Sequence, residues 1–148
     1  MAIISALAFR FLLGAGTLHA QQPSGDILAE VTGFRSSTGT AGYALFSSEK
    51  GFPMKSELAE LRGFAEITGS SCSISLSGLA PGRYALSVFH DENGNRRLDL
   101  NALGIPREGT GVSNNVKGRF GPPGYKAAAF VLDSTHTRLH INVTYRGR

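Results

Sequence analysis

Alternation of apolar and polar residues is the clearest pattern in this chain. Between Ser71 and Ser77 every second residue is a serine, and Cys72, Ile74 and Leu76 stand between them. A period of two residues indicates a β-strand with one packed face and one wet face. The pattern also predicts that the cysteine is a small core residue and not a reactive thiol.

Similar short patterns recur along the chain and are separated by segments rich in glycine, serine and asparagine. The predicted strands cover residues 26–34, 39–46, 64–68, 71–77, 83–90, 126–132 and 138–145. A helical turn is predicted only near residues 56–61. About seven short strands with hardly any helix predict an all-β fold, an antiparallel β-sandwich with Greek-key connections.

The longest stretch without periodicity is segment 91–125, which is rich in glycine, proline and asparagine. Loops of this length in a compact domain are usually functional or disordered. Its first part carries oxygen ligands at positions 1, 3, 5, 7 and 9 of a calcium-wrapping loop. This candidate metal set consists of Asp91, Asn93, Asn95, the backbone carbonyl of Arg97, and Asp99.

Two positions of this loop depart from the usual calcium pattern. Arg96 stands where a glycine normally makes the sharp turn, and Ala102 stands where a bidentate glutamate normally closes the shell. Glu108 would have to fold back to supply that group. We therefore expect a weak site, with a dissociation constant on the order of 10⁻⁴–10⁻³ M. An Asx-rich turn, in which the same side chains bond backbone N–H groups, is the alternative.

Catalytic chemistry has little support in the sequence, because it contains no complete nucleophile–base pair or metal-ligand set. His90 is in phase with the apolar residues of strand 83–90, which predicts a hydrogen-bonded histidine at the end of a core strand. Segment 117–126 mixes cations with aromatics, and Arg119 could supply a fork for an anionic glycan or lipid headgroup.

The first twenty residues resemble a targeting segment. A short apolar run over 11–18 follows Arg10, and Ala20 is a small residue before a cleavage point. The run is too short to span a bilayer. We therefore predict a signal peptide at 1–20, a single domain at 21–148, a periplasmic or secreted location, and no transmembrane segment in the mature chain.

Charge and cysteine content limit the classes of partner and the sources of stability. The formal net charge of +4 is small and spread along the chain, so it favours no polyanionic partner, and we expect no nucleic-acid binding. Cys72 is the only cysteine, which rules out an intramolecular disulfide in spite of the predicted export. Stability must then come from packing.

Several short motifs carry a family resemblance. They are Gly51-Phe52-Pro53, Leu79-x-Pro81-Gly82-x-Tyr84, His90-Asp91-x-Asn93-x-Asn95, Ser113-Asn114-Asn115 and Gly121-Pro122-Pro123. With these motifs the chain resembles, over roughly 26–145, a bacterial family known as domain of unknown function 2141. The resemblance implies a small exported β protein without an established activity. The strand entry at Leu79 is also similar to prealbumin-like sandwiches, which are generally non-catalytic.

The leading hypothesis is an exported, non-catalytic β-sandwich binding module. Its long loop would present polar groups, with or without calcium, to an unknown ligand or cell-envelope component. The alternatives are an exported metal-dependent hydrolase using His90, Asp91, Asp99 and Glu108, and a purely structural cell-envelope domain. The candidate binding residues are His90, Glu108, Asn114, Asn115 and Arg119.

Overall fold

The structure is a computed structural model that describes residues 22–146, so the predicted signal peptide at 1–20 lies outside the described residues. Eight strands occur within this range: β1 (Gly25–Thr32), β2 (Thr40–Phe46), β3 (Leu61–Glu66), β4 (Ser71–Leu79), β5 (Gly82–Asp91), β6 (Thr110–Val112), β7 (Phe130–Leu132) and β8 (His136–Asn142). Helical segments are short: 3-10 turns at Ser56–Leu58 and Ser113–Asn115, and helix α1 at Tyr125–Ala128.

The strands form two sheets. The smaller sheet has the order β4-β1-β8, and the larger sheet has the order β3-β2-β5-β6, with β7 also pairing with β5. Because β6 pairs with residues 87–89 and β7 with residues 82–84, the two short strands share one edge of β5. The predicted all-β sandwich is confirmed. One pair, β1 with β8, is parallel.

The main core lies between the sheets and follows the predicted alternation. In β4, Cys72, Ile74 and Leu76 are buried while the serines between them are exposed. They pack with alternate residues of β1 and with inward-facing side chains of the larger sheet. Burial raises the pKa of the Cys72 thiol to about 11. The predicted core role of this cysteine is therefore confirmed.

A second, smaller cluster covers part of the outer face of the larger sheet. Ala128 of α1 packs there on Ala85 and Val112, with Phe52 and Tyr125 at its border. Residues 126–128 were predicted to begin a strand. Their alanine-rich stretch instead forms one helical turn, because that turn places Ala128 against the sheet.

Ser113 fastens this outer cluster to the sheet. Its side chain is fully buried, accepts a hydrogen bond from the Leu86 N–H at 3.0 Å and donates one to the Ala128 carbonyl at 2.6 Å. A single hydroxyl therefore satisfies two buried backbone groups of different elements.

No helix within residues 22–146 is long and apolar enough to cross a membrane.

Candidate functional site

The candidate site is the rim loop, which we define as residues 91–108, connecting β5 to β6 at one end of the sandwich. Strand β5 ends at Asp91, which pairs with Thr40 of β2. The two ends of the loop meet at its base, where the His90 N–H donates to the Gly109 carbonyl at 2.8 Å. The loop is thus held at both ends by the larger sheet.

Asp91 organises the first turn of the rim loop. Its side chain is 0% exposed, and its two carboxylate oxygens accept hydrogen bonds from the N–H groups of Asn95 at 3.1 Å and Arg96 at 2.9 Å. Arg96 has a φ of 62°, a left-handed conformation that normally favours glycine. Arg96 therefore adopts this conformation without being glycine, and the bond to Asp91 holds it.

Side-chain hydrogen bonds to Asp99 complete this turn, and they come from Asn93 and Asn95. The amide nitrogens of Asn93 and Asn95 lie 2.6 Å and 3.0 Å from carboxylate oxygens of Asp99. Their amide oxygens accept the backbone N–H groups of Asn95 and Arg97. Four of the side chains predicted at alternate loop positions therefore converge, with Asp91 linked to the group through the Asn95 backbone.

Glu108 closes the rim loop from its far end. One of its carboxylate oxygens accepts the Glu92 N–H at 3.0 Å, and the other accepts the Asp99 N–H at 3.1 Å. The side chain is only 4% exposed. Burial, with repulsion from Asp99 and Asp91 as further causes, raises the pKa of Glu108 above its usual value. Glu108 does fold back onto the loop, as a bridge between two backbone amides.

The bonds expected of an Asx-rich turn are thus present, in the same segment that was predicted to wrap a cation. The two interpretations are compatible, because a carboxylate or amide oxygen that accepts one N–H keeps a lone pair for a second partner. In the part of the chain that the structure describes, no three His, Cys, Asp or Glu side chains form a metal-holding group. Amide and backbone oxygens would have to supply much of any cation's shell.

His90 lies beneath the rim loop and is fully buried. Its Nε2 is 2.7 Å from the Thr38 carbonyl, and its Nδ1 is 2.7 Å from the Tyr145 hydroxyl. A carbonyl can only accept, so Nε2 donates to Thr38, while Nδ1 is within hydrogen-bond distance of the tyrosine hydroxyl and 3.4 Å from Glu92 Oε1. Both ring nitrogens are therefore engaged, and the prediction of a hydrogen-bonded core histidine is confirmed.

An ion pair clamps the start of the rim loop to the turn between β1 and β2. Arg35 Nε lies 2.5 Å from Glu92 Oε1, and a second bond from Nη2 makes the pair bidentate. The guanidinium stacks 4.6 Å from the ring centroid of Tyr145. The hydrogen bond from Arg35 lowers the pKa of Glu92. Sequence reasoning missed this clamp, since nothing local links residues 57 positions apart.

The remaining predicted binding residues lie apart from the rim loop. Asn114 and Asn115 follow the far end of β6, and both have positive φ. The Asn114 amide donates to two carbonyls around α1. The Asn115 side-chain amide donates to the His140 carbonyl and accepts from the Asn142 N–H. It therefore pairs with the edge of β8 as the backbone of a neighbouring strand would. The structure thus gives these amides bonds within the fold.

Arg119 is exposed in the segment between Asn115 and α1. Within residues 22–146 no hydrogen bond or ion pair joins it to the rim loop. Of the ten predicted site residues, the structure therefore gathers Asp91, Asn93, Asn95, Arg97, Asp99 and Glu108 in one loop, with His90 beneath it.

Comparison with protein-family models identifies a family that matches most of the chain. A family model described as an uncharacterized protein conserved in bacteria (DUF2141) matches residues 29–140. The chain belongs to this family. The whole rim loop and the Ser113–Asn115 turn of this DUF2141 protein lie inside the match, which confirms the resemblance drawn from their motifs. No curated protein and no solved structure matches the chain.

Proposed function

We propose that this DUF2141 protein is an exported, non-catalytic β-sandwich binding module, that the rim loop is its binding element, and that segment 91–99 takes up a calcium ion weakly. The observation that carries the proposal is the convergence of Asp91, Asn93, Asn95 and Asp99 in one closed turn. Export remains a proposal supported by the apolar segment at 11–18.

Buried carboxylate charge supports a cation in this turn. Asp91 and Glu108 are almost completely buried, and among residues 22–146 neither forms a salt bridge with a lysine, arginine or histidine. A buried carboxylate is costly unless it is paired or coordinates a metal. A hard divalent cation is the partner that carboxylate and amide oxygens prefer. Calcium bound beside Asp91 and Asp99 would offset the negative charge that surrounds Glu108.

The donor set fits a weak site better than a strong one. Asp91 and Asp99 provide the two carboxylates, Asn93 and Asn95 provide amide oxygens, and the Arg97 carbonyl provides a fifth oxygen. Glu108 uses both oxygens to hold backbone amides. Calcium takes six to eight oxygens, so water would complete the shell.

The environment of His90 favours a non-catalytic role over a hydrolase. The imidazole is fully buried, and its two nitrogens bond to Thr38 and Tyr145. A general base or metal ligand needs a nitrogen that can reach a substrate or an ion.

Thermal unfolding with and without calcium tests the proposed site. A ligand that binds only the folded state stabilises it by mass action. With a dissociation constant of about 10⁻⁴–10⁻³ M, about 10 mM calcium should contribute about 1.4–2.7 kcal/mol. For a domain of this size we expect the Tm to rise by about 5–10 °C and to return in EGTA.

Two matched variants locate the effect. Asp99→Asn keeps an acceptor for one neighbouring amide but removes a ligand charge, so the calcium-induced shift should disappear. Glu57→Gln makes the same chemical change in the exposed Ser56–Leu58 turn and should keep the full shift. No shift in the natural protein, or an equal shift in Asp99→Asn, would refute the calcium site.

A further inference from the structure

The outer part of the rim loop is a closed hairpin, which we call the tip hairpin and define as residues 99–107. Leu100 and Pro106 form an antiparallel bridge, and the Arg107 N–H donates to the Asp99 carbonyl at 2.8 Å. Beyond them the Asn101 N–H donates to the Ile105 carbonyl at 2.9 Å. The hairpin therefore leaves the proposed cation site and returns to it.

The turn at the end of the hairpin satisfies most of its own backbone N–H groups. The side-chain oxygen of Asn101 accepts the N–H groups of Leu103 at 2.9 Å and Ile105 at 3.0 Å, and its carbonyl accepts the Gly104 N–H at 2.9 Å. A turn that bonds internally loses little when water leaves it. Its side chains can then enter an apolar medium at small backbone cost.

Those side chains are apolar and project into solvent. Leu103 is 82% exposed at the end of the turn, and Leu100 and Ile105 beside it are 43% and 40% exposed. In a loop whose other residues are mostly asparagine, glycine and charged residues, three neighbouring exposed aliphatic side chains mark a contact surface.

The exposed charge around the hairpin is positive. Arg96, Arg97 and Arg107 are all exposed, and among the described residues none of them takes part in a salt bridge. The Arg96 guanidinium lies 5.2 Å from the ring centroid of Phe64, so it covers the edge of the larger sheet while keeping its charge.

The acidic residues of the same loop contribute little negative charge to its exposed surface. Asp91 and Glu108 are buried, and Glu92 is neutralised by its bidentate pair with Arg35. Asp99 is partly exposed and bonds to the two asparagine amides. The exposed surface of the loop therefore consists of aliphatic side chains at the end of the tip hairpin and arginine side chains around its base.

We infer that the tip hairpin inserts Leu103, Leu100 and Ile105 into the interface of an anionic lipid bilayer, with the three arginines paired to lipid phosphates. This inference rests on the proposed function, because it names the partner of the same loop. Shallow insertion of about 5–10 Å requires only a few apolar side chains plus attraction to anionic headgroups. A specific protein interface buries about 800 Å² on each partner, far more than three aliphatic side chains offer.

Tryptophan fluorescence gives a site-specific test, because the chain contains no tryptophan. The full-length mature protein carrying Leu103→Trp is mixed, in EGTA, with vesicles of phosphatidylcholine or of an equal mixture with phosphatidylglycerol. We expect a blue shift of the emission with the anionic vesicles only, and its loss in high salt. Val131→Trp is the matched control, since Val131 is 65% exposed on β7, and it should show no shift.

Co-sedimentation with the same vesicles measures the affinity. Leu103→Asn should weaken binding by about tenfold, which corresponds to withdrawing one leucine side chain from the interface. Arg107→Gln should weaken it by about fivefold. Val131→Asn should bind like the natural protein.

Absence of binding to anionic vesicles, or equal binding by Leu103→Asn, would overturn the inference. A blue shift in both tryptophan variants would also overturn it, because it would report a non-specific surface. These experiments contain no calcium, so they fail or succeed independently of the calcium-induced rise in Tm.

Discussion

Replacing Glu108 by alanine is the most informative perturbation of the rim loop. The Glu108 carboxylate accepts the backbone N–H groups of Glu92 and Asp99, and so joins the two ends of segment 92–99. Alanine removes both acceptors. It also removes a buried negative charge near Asp91 and Asp99, so two opposing effects decide the outcome.

The lost hydrogen bonds should dominate. A hydrogen bond to a charged group contributes about 1.5–3 kcal/mol, which gives about 3–6 kcal/mol for the pair. Relief of burial and repulsion, and hydration of the two freed N–H groups, offset part of this. We expect the variant to lose about 2–3 kcal/mol of unfolding free energy and about 8–12 °C in Tm.

The loss should depend on pH in a direction fixed by the pKa of Glu108. Burial raises the pKa of Glu108 in the folded state above its value in the unfolded chain. The carboxyl group therefore stabilises most below its unfolded pKa, and this contribution is lost as pH rises through the folded pKa. The difference between the natural protein and Glu108→Ala should be larger at about pH 4 than at about pH 7.

Urea unfolding of both proteins in EGTA at the two pH values measures this difference directly. The other carboxyl groups titrate in both proteins and largely cancel in the comparison. A loss below about 0.5 kcal/mol would refute the bridging role of Glu108. A difference that grows with pH would refute its raised pKa.

Two further predictions concern the scaffold. Ser113→Ala leaves two buried backbone groups without their partner, so the free energy of unfolding measured in urea should fall by about 2–4 kcal/mol. A loss of only a few tenths of a kcal/mol would mean that water replaces the hydroxyl. Because the pKa of Cys72 is raised to about 11, its thiol should react with a disulfide reagent at neutral pH only after denaturation, and rapid reaction of the folded protein would contradict its burial.

Side-chain alternation predicted most of the sandwich, because burial of one strand face leaves a direct trace in the sequence. It predicted the faces of β4 and β5 and the core position of Cys72. The parallel direction of β8 beside β1 could not be predicted, since alternation is the same for either direction. The helical turn of α1 was missed because four residues are too few to show a helical period.

The candidate site was predicted where its residues are neighbours in sequence and missed where they are distant. Asp91, Asn93, Asn95 and Asp99 were recognised by their spacing. The Arg35–Glu92 clamp and the bonds of His90 join residues more than fifty positions apart and leave no local pattern. The tip hairpin had one available signal, since Leu103 and its aliphatic neighbours fit no strand periodicity in a polar loop.

A calcium titration followed by amide NMR tests the central claim most directly, because it reports each residue of the rim loop separately. The account predicts saturable shifts concentrated in residues 91–108, with a dissociation constant of about 10⁻⁴–10⁻³ M. Unchanged rim-loop signals at millimolar calcium, or shifts scattered over exposed acidic residues such as Glu57 and Asp133, would contradict it.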